Sequence, residues 1–149
     1  MKVNLNMGKH KAISHPELLM DLFKAYKVHV KSNPLIVTDW VGGKGIEVDR
    51  KKEQPLSWDG FELYVMEQGY IKYPDLSEYA EGKNESYKEY FPYCRAIKKY
   101  CRVDQINGGM AGIYNPSVTQ RLNGLVEKSH VDVQAEQPLF IDVPTNNSY

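Results

Sequence analysis

The side chains able to do chemistry are few and scattered. Asp59, Glu62 and Glu67 fall within one short helical stretch, a grouping of the kind that general acid–base catalysis uses. No nucleophile is spaced to pair with them, and lone carboxylates are what a solvated helix face ordinarily carries, so they read as non-catalytic. Cys94 and Cys101 are seven residues apart. Within one helix they share a face about two turns apart, too far for a disulfide, and read as buried free thiols. His10, His15, His29 and His130 stand apart, with no Cys-x-x-Cys pair beside them, so no metal site is expected. Gly42-Gly43-Lys44-Gly45 lacks the Gly-Lys-Ser/Thr ending that a phosphate loop needs where it opens a helix. The chemistry-bearing residues therefore predict no enzyme, no metal and no cofactor.

What remains is charge. The chain has 149 residues, with 19 basic and 19 acidic side chains, so a generally polycationic coat is excluded. The balance is uneven along the chain. Residues 1–56 hold ten Lys/Arg against six Asp/Glu, and the remainder holds nine against thirteen. A polyanion is expected to meet the N-terminal part. No run approaches the roughly 20 apolar residues of a membrane span, and Met-Lys-Val-Asn-Leu-Asn is no apolar export segment. A soluble, intracellular protein is expected, with no membrane partner.

The elements that must position these charges follow from periodicity and punctuation. Residues 1–13 read as a mobile arm carrying Lys2, Lys9, His10 and Lys11. Ser14 and Glu17 form a capping box, with Pro16 in the first turn. Leu19, Leu22, Phe23, Tyr26 and Val30 then recur at helical spacing, predicting an amphipathic helix over 15–32. Lys24, Lys27 and Lys31 read as its solvated basic stripe. Residues 35–41 and 46–49 flank the Gly-rich turn as a β-hairpin, with Arg50-Lys51-Lys52 directly behind it. Ser57 caps a helix over 58–68 that Gly69 stops, and a short helix follows from Asp75 to Glu81. Two short helices with a Gly-containing connection are the helix-turn-helix pattern. Residues 86–105 are helical, with Pro92 marking a kink or a true start near Phe91. Asn115-Pro116 opens a last helix to Asn123, with Gly124 beyond it. Residues 130–135 alternate like a strand, and 136–149 form a tail.

Several segments in the same order resemble the small terminase subunits of tailed bacteriophages. They are Pro55-Leu56-Ser57-Trp58-Asp59-Gly60-Phe61-Glu62-Leu63-Tyr64, the run from Gly109-Met110-Ala111-Gly112-Ile113-Tyr114-Asn115-Pro116 through Leu125, and Glu136-Gln137-Pro138-Leu139-Phe140. The helix with Tyr26, Lys31, Asn33 and Pro34 is similar to that family's first helix. The resemblance spans about residues 15–142. It implies a non-catalytic subunit in the host cytoplasm that binds double-stranded viral DNA, assembles into a ring, and hands the DNA to the large terminase, which holds the ATPase and nuclease.

The expected fold is mainly α with a small β-hairpin. It comprises a helix-turn-helix-type DNA-binding domain over 1–84, a helical oligomerisation region over 85–126, and a C-terminal strand and tail over 127–149. Lys44, Arg50, Lys51 and Lys52 on the hairpin, with Lys72 and Lys83 flanking the second short helix, are the expected phosphate contacts, joined by Tyr73, Ser77 and Tyr79. Met110, Ala111, Ile113, Tyr114, Val118 and Leu122 are the expected seam between copies, because small residues permit close approach and the others add apolar area. Pro138, Leu139 and Phe140 are the expected contact with the large terminase or a neighbouring subunit, or an edge strand folded back. The alternative function is a dimeric winged-helix regulator on palindromic DNA.

Overall fold

The computed structural model describes residues 11–125. Five helices and one antiparallel hairpin follow in the order α1 (Pro16–Ser32), β1 (Leu35–Val41), β2 (Ile46–Lys52), α2 (Trp58–Glu67), α3 (Ser77–Glu81), α4 (Phe91–Met110) and α5 (Pro116–Leu122), with a 3-10 turn at Glu85–Tyr87. The expected strand over 130–135 and the tail lie outside the described residues.

The core forms where the apolar stripes of α1, α2 and α4 meet. α1 contributes Leu19, Leu22, Phe23, Tyr26 and Val30; α2 contributes Phe61 and Val65; α4 contributes Cys94, Ile97 and Cys101. Fully buried side chains such as Leu19 and Phe61 each contribute about 1.5–3 kcal/mol by leaving water. The Phe23 and Phe61 rings meet edge to face at 5.6 Å, and Tyr26 approaches Phe61 at 5.7 Å. This cluster crosses position 84, so the first three turns of α4 share one core with α1 to α3.

Local signals place most boundaries. The Ser57 hydroxyl accepts the Gly60 N–H at 3.0 Å, and Asn115 accepts the Val118 N–H at 3.2 Å, so both caps act as their residue types dictate. At α4 the proline settles at the helix start rather than inside it. One cap fails. Ser14 does not cap α1; its hydroxyl faces His15 Nδ1 at 2.8 Å, and His15 occupies the N-cap position without a side-chain bond.

The N-terminal arm also ends sooner than expected. Ile13 is fully buried, its N–H donates to the Tyr79 hydroxyl at 3.2 Å, and the Tyr90 hydroxyl donates to its carbonyl at 2.7 Å. Lys11 lies over the Tyr90 ring at 5.1 Å and donates to the Ser86 carbonyl. A patch of tyrosines that no short-range pattern announces thus anchors the chain before α1.

Cys94 and Cys101 are free and buried on one face of α4. Burial pushes both thiols up to about 11. At about pH 8 both should resist a disulfide reagent in the folded chain and react promptly in urea. One fast native thiol would mean that α4 opens locally.

Candidate nucleic-acid interface

The hairpin is a ribbon whose extensive contact is its own ladder. Gly42 and Gly45, at φ +77° and +61°, take the left-handed conformations of the turn, and the Gly45 N–H closes it on the Gly42 carbonyl at 3.0 Å. β2 continues to Lys52, three residues beyond the expected end, so the basic triplet sits within the strand. Strand pleat then divides it. Leu35 pairs with Lys52 and Val37 with Arg50, whereas Ile36 pairs with Lys51. Arg50 and Lys52 therefore share one face and Lys51 the other.

Arg50 is partly engaged by Asp39 at 3.4 Å. Lys44, Lys51 and Lys52 have no ion-pair partner among the described residues. Every residue of β2 is exposed, and Leu35, Ile36, Trp40 and Ile46 also face solvent. An isolated two-stranded ribbon is marginal by itself, and here Thr38 helps to hold it by donating to Asp49 at 2.9 Å.

The α2–α3 pair does not gather the other expected contacts. Residues 68–76 separate the helices, longer than the three- or four-residue turn of a helix-turn-helix, and α3 has only five residues. Tyr79 is a correction: it is buried, packed against Tyr87 and Tyr90 at ring distances of 4.9 and 5.0 Å, and cannot reach a ligand. Lys83 pairs with Glu81 at 2.5 Å, and Lys72 lies over its neighbour Tyr73 at 5.4 Å. Tyr73 is exposed and Ser77 half-buried.

The expected seam divides in the same way. Met110, Ala111, Ile113, Val118 and Leu122 are exposed, and the apolar ones form a surface around α5 that no other described residue covers. Between the hairpin base and α5 lies a groove of about 470 Å³ lined by Leu35, Ile113, Val118 and Leu122. Gly108 and Gly109, at the end of α4 just ahead of those residues, serve the chain's own fold. Both are buried, and the Tyr114 ring and Thr119 occupy the space that their side chains would need.

Tyr114 leads to a polar cluster with no signature in the sequence. Lys31 lies 2.8 Å from Asp104 and 3.1 Å from Glu53, and donates to the Tyr114 hydroxyl at 2.6 Å. Asp104 also accepts the Leu56 N–H at 2.8 Å and the Tyr114 hydroxyl at 3.1 Å. Lys31 is thus a correction to the solvated stripe expected with Lys24 and Lys27. Burial alone would lower its pKa, but hydrogen bonds to Asp104, Tyr114 and Glu53 outweigh that and hold it above the ordinary lysine range. The ammonium ties α1, the segment before α2 and α4 together, and is not available to a ligand.

Pro138, Leu139 and Phe140 lie outside the described residues. No described helix is long and apolar enough to cross a membrane. No protein-family model matches this chain, and no curated protein does.

Proposed function

We propose that this chain is the small terminase subunit of a tailed bacteriophage: a non-catalytic subunit that binds double-stranded viral DNA in the host cytoplasm and presents it to the large terminase for packaging. The observation that carries the reading is the projecting ribbon, whose Lys44, Lys51 and Lys52 lack acidic partners among the described residues. A two-stranded ribbon has the width to enter a major groove, and cations on both of its faces can reach phosphates on either side. The ordered resemblance over residues 15–142 supplies the packaging role. The exposed apolar surface of Met110, Ile113, Val118 and Leu122 supports self-assembly, because a closed ring of head-to-tail contacts would bury it and would repeat the ribbon around one axis. In this reading Pro138, Leu139 and Phe140 engage the large terminase.

The Arg50→Ala/Lys51→Ala/Lys52→Ala variant tests it. Each lost phosphate contact lowers the salt slope of log affinity by about 0.9, so removal of three should flatten it by up to about 2.7. Light scattering on the same full chain should give a mass well above a dimer. Wild-type chain that binds no duplex would overturn the DNA-binding role. A plain dimer on palindromic DNA would replace it with the regulator.

A further inference from the structure

We infer that the outward face of α4 is a second track for the sugar-phosphate backbone of double-stranded DNA, separate from the hairpin; the inference rests on the DNA-binding reading above. Arg95, Lys98, Lys99 and Arg102 fall within two turns of α4, and no acidic residue occurs between Tyr90 and Val103. All four are exposed. Arg95, Lys99 and Arg102 stand at i, i+4 and i+7, on the side of the helix opposite Cys94, Ile97 and Cys101, which face the core. Seven residues of helix carry that row over about 10 Å.

None of the four has an ion-pair partner among the described residues, in contrast to Lys31, Arg50, Lys83 and Lys88. Only Lys98 has another engagement, lying 4.6 Å over the Trp58 ring. A row of like charges on one helix face repels itself, at i, i+4 by a few tenths of a kcal/mol per pair, and a polyanion laid along it removes that penalty. The Arg95 and Arg102 guanidinium groups can each present two parallel N–H bonds to a phosphate, a planar fork that an ammonium lacks.

Another copy of this chain fits the face less well than DNA does. The most acidic stretch, residues 75–89, already spends part of its charge internally, on the Glu81–Lys83 and Glu85–Lys88 pairs. DNA carries one negative charge per about 1.7 Å of axis, with no cation interleaved. The track lies in the half of the chain whose overall charge is negative, which is why a tally by halves hides it.

The test uses the full chain with Arg95→Ala/Lys99→Ala/Arg102→Ala and a fluorescent random-sequence duplex, with affinity measured between about 50 and about 200 mM salt. The salt slope should fall by up to about 2.7, so that the affinity lost over that fourfold range shrinks by about 40-fold. Arg95→Lys/Arg102→Lys, which keeps the charge count, should retain the wild-type slope and thermal midpoint, and the triple alanine variant should melt at or slightly above wild type. A triple variant that binds with the wild-type slope, while the hairpin variant flattens it, overturns the second track and leaves the DNA-binding role standing. A triple variant that keeps the slope but loses the large assembly overturns it in favour of a contact between copies. Wild type that binds no duplex overturns both readings.

Discussion

Replacing Asp104 with alanine should lower the unfolding free energy by about 3 kcal/mol, the largest effect expected of any polar residue here. One carboxylate accepts from three elements at once: the Lys31 ammonium of α1, the Leu56 N–H ahead of α2, and the Tyr114 hydroxyl beyond α4. The Lys31 and Asp104 side chains are only 22% and 21% exposed, so water replaces the lost contacts poorly. Lys31→Met should cost less, because Asp104 keeps its other two donors and Tyr114 keeps a partner. The pH dependence has a definite sign. Lys31 has a folded-state pKa above the ordinary 10.5, so its contribution is complete below about that pH and is lost as the pH climbs through the folded value. The gap in urea midpoint between wild type and Asp104→Ala should therefore begin to narrow as the pH climbs above 10.5, down to the part held by the Leu56 N–H and the Tyr114 hydroxyl. A constant gap would show that the ion pair contributes little and that the Leu56 N–H carries the effect.

Gly108→Ala should cost about 2 kcal/mol, although alanine in a helix ordinarily gains about 1 kcal/mol over glycine. A Cβ at Gly108 would lie 2.1 and 2.2 Å from two ring atoms of Tyr114, closer than real contacts allow. The ring cannot swing away freely, because its hydroxyl is held by Lys31 and Asp104 and its N–H donates to the Gly108 carbonyl at 3.0 Å. Displacing it breaks the polar cluster as well. Tyr114→Ala supplies the control. In that background the clash is gone, and Gly108→Ala should become neutral or stabilising by up to about 1 kcal/mol, which a double-mutant cycle reads directly. An equal cost in both backgrounds would place the strain in α4 itself rather than against Tyr114.

Both sites rest on the Lys31–Asp104 pair, whose residues are far apart in the chain. Residue types alone specify the features whose signals are local: the apolar spacing of α1, the Ser57 and Asn115 caps, the Gly42–Gly45 turn of the hairpin and, at Pro92, a kink or a start of α4, which the structure resolves as the start. Each depends on contacts within about one turn of chain, where residue type dictates conformation. The sequence also marked Cys94 and Cys101 as buried thiols, since their spacing lands them on one helix face. Tertiary structure alone decided which charges and tyrosines are free. Lys31 meets Asp104 across 73 positions, Tyr79 meets Ile13 across 66, and Gly108 is claimed by Tyr114 rather than by another chain. Strand register likewise parted Lys51 from Arg50 and Lys52. Burial and pairing over such separations are set by how helices pack, and no local residue pattern encodes that packing.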